Sequence, residues 1–282
     1  MTNGLDILND AMDYGYAIPQ FNINNLEWTK YILEECEANK SPVILGVSEG
    51  AIKYMGGYNV VSSLVKSLIK DLDIKIPVTL HLDHGQSYES CKKAIDAGFT
   101  SVMIDASKLD INENIKTTSK VKKYALKKSV NVEAEVGSIG GEEDGVANES
   151  LFATVDGCRK LVSSTKIDTL APALGSVHGL YKGEPDLKFD TMLEISAALK
   201  MPLVLHGGTG IPDEDIKKAI ECGTCKINFN TELQIAWSKA VRKFIAEDKD
   251  EYDPRKIISS GKEAIKESVR TKIILLGSND RG

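Results

Sequence analysis

Histidine is scarce in this chain: four residues in 282, at His81, His84, His178 and His206. Long apolar runs are missing; none approaches the length needed to cross a bilayer, so no membrane partner is expected. Met1 to Asp6 lack the basic stretch and apolar core of a secretory signal, which makes the cytoplasm the expected location. There is no basic excess. The net charge of −6 is spread along the chain, which argues against a nucleic-acid partner and supplies no polybasic patch. The five cysteines, Cys36, Cys91, Cys158, Cys222 and Cys225, are odd in number and scattered, so no disulfide framework is expected. Cys222 and Cys225 have the spacing of a redox or zinc pair, but no second pair accompanies them. They read as small apolar fillers around a turn. Also absent is a Gly-x-Gly-x-x-Gly after the first strand-like run, the mark of a dinucleotide-binding open sheet.

What is present is a soluble globular composition, 42% apolar and 27% charged. A chain of this length can bury a large core without disulfides or structural metal. Eight short β-rich runs occur at 17–21, 43–48, 78–83, 101–105, 130–136, 169–174, 203–206 and 226–230. Stretches of helical period with polar faces separate them, among them 26–39, 60–72, 88–97, 111–127 and 190–199. Eight apolar runs alternating with helices and no linker predict a parallel sheet closed into a (β/α)8 TIM barrel. Pro212 followed by three acids marks one helix start, and Thr231 with Gln234 has the capping-box spacing for the last barrel helix. Residues 1–282 are expected to form one catalytic domain, whose extension at about 252–282 carries an appended helix.

In such a barrel the C-terminal ends of the strands share one face, where active sites form. His84, Asp105 and His206 end runs three, four and seven, and His178 follows run six. Three imidazoles gathered there make a metal site with an open fourth position, as catalytic zinc requires. Asp83, beside His84, is a candidate general acid/base or a carboxylate that only positions its neighbour. Glu133 and Glu135 share one side of run five. His81 lies deeper, either orienting a site residue or bonded within the core.

The turns after runs seven and eight add a second signal. Gly207-Gly208-Thr209-Gly210 lets backbone N–H groups approach an anion, and Asn228-Phe229-Asn230-Thr231 leads into a helix N-terminus. Together they point to a phosphorylated substrate. Residues 137–145, glycines around three acids, read as a mobile lid or a solvated turn.

These motifs, with Gln20-Phe21-Asn22, His81-Leu82-Asp83-His84, Gly140-Gly141-Glu142-Glu143-Asp144 and Gly175-Ser176-Val177-His178-Gly179, resemble class II, metal-dependent fructose-bisphosphate aldolases. The likeness runs nearly end to end and is nearest to the short Gram-positive form; tagatose-bisphosphate aldolases carry almost the same motifs. The resemblance implies reversible cleavage of fructose 1,6-bisphosphate to two triose phosphates, a step of glycolysis. It implies zinc (Zn2+) on His84, His178 and His206, and a second divalent ion or alternative zinc position at Asp105 and Glu135. A monovalent cation, Na+ or K+, is implied near the phosphate. Asp83 would exchange the C4 hydroxyl proton and Glu143 the proton at the nucleophilic carbon. Gly179, Gly207, Gly208, Thr209 and Asn228, Phe229, Asn230 and Thr231 would hold dihydroxyacetone phosphate, and Asn22 and Ser48 would touch substrate. Arg255 would reach the other phosphate of a neighbouring subunit, which implies a homodimer or homotetramer.

The chemistry agrees: aldol cleavage leaves a carbanion beside a carbonyl, which a metal ion stabilises as a Lewis acid. A lysine Schiff base is the other solution. Lys226 lies low on run eight, where a structural role fits better. Tagatose 1,6-bisphosphate as substrate, a zinc hydrolase on the same histidines, and a non-catalytic sugar-phosphate binder remain as alternatives.

Overall fold

The computed structural model describes the chain apart from residues 144, 145, 149 and 182 and the side chains of 142, 143 and 146–148. It begins with α1 (Leu5–Tyr14), β1 (Ile18–Asn22), α2 (Leu26–Ala38), β2 (Val43–Val47), α3 (Glu49–Met55), α4 (Tyr58–Asp71), β3 (Val78–Gly85) and α5 (Tyr88–Ala97). The middle holds β4 (Ser101–Ile104), α6 (Ile111–Leu126), β5 (Asn131–Val136), β6 (Gly140–Glu143), β7 (Val146–Asn148), α7 (Val155–Thr165), β8 (Thr169–Pro172) and β9 (Val177–His178). It ends with α8 (Phe189–Leu199), β10 (Leu203–Leu205), α9 (Asp213–Glu221), β11 (Thr224–Phe229), α10 (Thr231–Glu247), α11 (Pro254–Ser259) and α12 (Lys262–Leu276).

Each of the eight β-rich runs becomes a strand of one closed parallel barrel, in the order β1-β11-β10-β8-β5-β4-β3-β2. Their two faces differ. Outward residues such as Leu80, Leu82, Val102, Ile104, Val132 and Ala134 join Val61, Val65, Ile95 and Val121 of the covering helices in the main apolar core. The alternate positions point inward and are largely polar: Thr79, His81, Asp83, Ser101, Asn131, Glu133, Glu135, Lys226 and Asn228, all buried. Burying so many polar groups costs stability unless they bond one another, so the barrel interior is where chemistry is to be sought.

Helix starts follow local chemistry. Asn25, Ser87, Asp110 and Thr154 each cap a following helix by accepting from a first-turn backbone N–H. Thr231 behaves differently from the sequence expectation: Asn230 is the cap residue of α10, and its side chain makes no cap bond.

Two features lay outside the sequence reading. Helix α1 closes the lower end of the barrel, packing Leu8 and Ala11 against Ile18, Ile44 and Cys225. The acidic glycine-rich stretch contributes β6, which pairs antiparallel with β7 and parallel with β9, Gly141 lying opposite His178. All five cysteines are free and buried. No helix among the described residues is long and apolar enough to cross a membrane.

Candidate metal centre and active site

Regular alternation along β3 would send Asp83 and His84 to opposite faces. The chain avoids this. The register with β4 shifts between Leu82 and Gly85, and His84 takes a left-handed backbone with φ 48°. A non-glycine residue held there stores local strain, characteristic of functional sites. Both side chains thereby reach the rim.

His84, His178 and His206 meet as expected. Ring centroids lie 4.9 Å apart for His84 and His178, 4.6 Å for His84 and His206, and 5.9 Å for His178 and His206. One nitrogen from each lies within 4.8 Å of the others. Carboxylates set two tautomers. His84 Nδ1 donates to Asp105 Oδ2 at 2.9 Å, and His206 Nε2 donates to Glu133 Oε1 at 2.8 Å. The remaining nitrogens, His84 Nε2 and His206 Nδ1, then present lone pairs 2.8 Å apart. Two facing lone pairs repel unless a cation or proton lies between them. The donor set thus fits a divalent metal, with the carboxylate–histidine pairs that metal-ligating imidazoles use. Burial and the charges of its two neighbours hold His178 well below the usual histidine range, in the neutral form a metal needs.

A second group joins His84, Asp105 and Glu135, again with one atom of each within 4.8 Å. Burial and then the nearby Asp105 charge push the Glu135 carboxyl up to about 8. Glu135 Oε1 accepts from Ile139 N at 3.2 Å, while buried Oε2 has no partner among the described residues. An orphaned carboxylate oxygen beside another carboxylate fits a second cation. Burial works against ionised Asp105, but bonds and charge from His84, with Ser107, outweigh it and hold it well below the usual range.

Asp83 is buried beside the histidines. Asn22 Nδ2 donates to Oδ2 at 2.8 Å, and Asn228 Nδ2 donates to Oδ1 at 3.4 Å. Burial alone would raise its pKa; the charges of His84, His206 and Lys226 prevail and keep it well below the usual carboxylate range. It is an ionised, oriented acceptor, as a base must be.

Lys226 is not a free amine. It is 1% exposed, and its ammonium donates to Glu133 Oε2 at 2.6 Å and to His81 Nε2 at 3.4 Å. An ion-paired ammonium is a poor nucleophile, which disfavours a Schiff base. His81 is a core histidine bonded to Ser101 Oγ at 2.7 Å, and burial with the Lys226 charge pushes it down to about 3. Sequence reasoning put Glu133 on the correct face without finding its role, and set Lys226 aside. Their signal was the two-residue parity of β5 and β11.

Ser48 is buried and caps α3. Tyr181 Oη accepts from Val177 N and donates to the Gly207 carbonyl, both at 3.1 Å, which ties the segment bearing His178 and Gly179 to the turn after His206. Within that turn, Gly208 N donates to Asn228 O at 3.0 Å, and Thr209 Oγ1 accepts from Glu232 N at 3.4 Å, so the two expected phosphate turns touch. The Phe229 ring is fully buried against Phe21, leaving only its backbone for a ligand. Asn230 and Thr231 stand at the start of α10, where the Asn230 side chain makes no cap bond. Arg255 is exposed and paired with Asp253, not with the histidine cluster. The Glu143 side chain and Asp144 lie outside the described residues, and with them much of the expected lid.

Comparison with known proteins agrees with this geometry. The family model for class II fructose-bisphosphate aldolase matches residues 2–281. A fructose-bisphosphate aldolase of Staphylococcus epidermidis is 57% identical over 277 residues, covering 98% of this chain and 97% of its own. One from Geobacillus stearothermophilus is also 57% identical, with 98% and 96% covered. Among solved structures, the YdjI aldolase of Escherichia coli K12 superposes with a TM-score of 0.86 at 34% identity, covering 98% and 97%. A fructose-bisphosphate aldolase of Campylobacter jejuni, 23% identical with a TM-score of 0.87 over 100% and 96%, shares the fold.

Proposed function

The chain belongs to the class II fructose-bisphosphate aldolase family and acts as such an aldolase; we propose that it reversibly cleaves fructose 1,6-bisphosphate to dihydroxyacetone phosphate and glyceraldehyde 3-phosphate, with the division of labour below. The observation that carries this is the meeting of three imidazoles, two with ring nitrogens face to face at 2.8 Å, beside ionised Asp83.

His84, His178 and His206 would hold zinc, which when bound supplies Lewis acidity for the charge that develops on the ketone. Asp83 accepts the C4 hydroxyl proton as the C3–C4 bond breaks; the C4–O bond becomes the aldehyde carbonyl and the bonding pair passes to C3. Asn22 and Asn228 hold the two Asp83 oxygens in place for this transfer. Glu143 returns a proton to C3. Asp105 and Glu135, with His84, would take a second divalent ion.

Gly179, Gly207, Gly208, Thr209 and the backbone from Asn228 to Thr231 receive the phosphate of dihydroxyacetone phosphate, with a monovalent cation nearby. The support is the start of α10, where the Asn230 side chain makes no cap bond, and its contact with the Thr209 turn. Ser48 meets the substrate from the turn between β2 and α3, and Arg255 binds the far phosphate from a neighbouring subunit, the protein being a homodimer or homotetramer. We take residues 1–282 as one catalytic domain working in glycolysis in the cytoplasm.

The test couples fructose 1,6-bisphosphate cleavage to NADH oxidation, with and without chelator. Activity lost on chelation and restored by zinc is the expected result. Cleavage that survives thorough metal removal would overturn the metal reading. Cleavage of tagatose 1,6-bisphosphate alone would move the assignment to the C4 epimer, and phosphate-ester hydrolysis without aldol cleavage would move it to a zinc hydrolase.

A further inference from the structure

Gln20 lies in β1, is 0% exposed and touches neither a histidine nor Asp83 directly through any of its hydrogen bonds. Its amide Nε2 donates to Asn22 Oδ1 at 3.3 Å, and Asn22 Nδ2 donates to Asp83 Oδ2 at 2.8 Å. We infer that Gln20 is a positioning residue for Asp83, acting through the Asn22 carboxamide, and that Gly46 is kept without a side chain to admit it.

The polarity of the chain carries the argument. With its Nδ2 bonded to Asp83 Oδ2, the Asn22 amide turns its N–H2 inward and its oxygen away. That oxygen needs a donor, and Gln20 Nε2 supplies it. Without the donor, Asn22 can rotate about its last torsion, a broad two-fold well that hydrogen bonding alone restricts. The carboxylate then loses its 2.8 Å donor and a fixed direction for its lone pairs.

Gly46 is an independent observation. It pairs with Asn22 across β1 and β2. Its φ lies outside the left-handed range, so its backbone does not demand glycine. Space does: a Cβ there would press on the Gln20 amide nitrogen, 2.7 Å from Gln20 Cδ and 3.1 Å from Asn22 Oδ1. The neighbouring strand is cut back to seat this carboxamide. Gln20 Oε1, meanwhile, has no partner among the described residues. A buried amide with an unpaired oxygen is a poor choice for stability, where an apolar residue would serve better. Its retention fits a task at the neighbouring acid.

The inference rests on the aldolase reading, and its test separates the two. Gln20→Met keeps the length and removes the donor. The kcat for fructose 1,6-bisphosphate should fall about tenfold, the worth of one such hydrogen bond, with KM and bound zinc unchanged. Gly46→Ala should fall similarly, because its methyl displaces Gln20. Adding Gly46→Ala to Gln20→Ala should cost less than Gly46→Ala costs alone, since the displaced group is already gone and only the 3.1 Å approach to Asn22 Oδ1 remains. Wild-type kcat in Gln20→Met, or additive losses in the double variant, would overturn the inference. If the wild-type protein with zinc cleaves neither bisphosphate, the aldolase reading fails by itself. The inference is then decided by crystal structures of wild type and Gln20→Met. An Asn22 amide turned away from Asp83 only in the variant supports it, and an unchanged contact refutes it.

Discussion

Asp83 and Lys226 show how the same buried interior sets charged groups to opposite tasks. Asp83 is ionised, and the bonds to its oxygens come from neutral amides, so it can still accept a proton. Asp83→Asn keeps the shape and removes the base. It is expected to cut kcat by about 10²–10⁴-fold while zinc content, read by metal analysis, stays at the wild-type level. Turnover near wild type would remove Asp83 from the proton-transfer role. Lys226 instead spends its charge on Glu133, whose other oxygen fixes His206. Lys226→Met leaves Glu133 buried without a counter-charge, a loss of about 3–5 kcal/mol measurable by urea unfolding of the zinc-free protein. Zinc affinity, read by chelator competition, should also fall by about 10–100-fold, as when a partner of a metal-bound histidine is disturbed. The histidines were legible in sequence because a scarce residue type stood at strand ends, and Asp83 because it adjoins one of them. Glu133, Gln20 and Gly46 were not: Glu133 meets His206 73 residues on, Gln20 acts through Asn22 on an acid 61 residues beyond Asn22, and Gly46 is matched to Asn22 on a neighbouring strand.

At the scale of elements, the unusual piece is the small sheet of β6, β7 and β9 above the barrel. Local composition suggested a lid at 137–145, and glycine with acids carries no sign of a partner forty residues on. In the fold, Gly141 pairs with His178 and takes φ 94°, and a Cβ at Gly141 would meet the His178 backbone nitrogen at 2.8 Å. The hairpin is therefore part of the mount for one histidine. Tyr181 is the other part, bonding Val177 N and the Gly207 carbonyl. Tyr181→Phe removes that tie and little else. Zinc affinity should drop several-fold, by roughly the 0.5–1.5 kcal/mol of a hydrogen bond, with the far-ultraviolet circular dichroism unchanged. Zinc binding identical to wild type would show that strand pairing alone holds His178. The eight barrel strands, by contrast, were readable within a residue or two, because their signal is local apolar run length between helices.

At the scale of the molecule, the C-terminal helix does more than append to the barrel. α12 buries Ile265, Val269, Ile273 and Leu276 to 1% exposure or less. Glu35, itself buried in α2, accepts from Arg270 Nε at 2.8 Å, and Lys266 reaches Glu34 at 3.1 Å. The Ala17 N–H just before β1 donates to the Leu276 carbonyl at 3.1 Å, and Ser41 before β2 bonds Ser278 at 2.9 Å. The last segment of sequence is thus stitched to the first strands, closing the helical layer over β1. Each buried aliphatic side chain is worth about 1.5–3 kcal/mol, so losing four, about 6–12 kcal/mol, is comparable to the roughly 5–15 kcal/mol that holds a domain folded. A protein ending at Gly261 should accumulate as insoluble or unfolded chain, read by solubility and thermal melting, and no added zinc should rescue it. A soluble, cooperatively melting truncation would mean that the eight-stranded barrel stands without its closing helix. A milder variant grades the claim: Val269→Ala should lower stability by about 1–3 kcal/mol while leaving kcat unchanged, because Val269 packs in the apolar core outside the barrel.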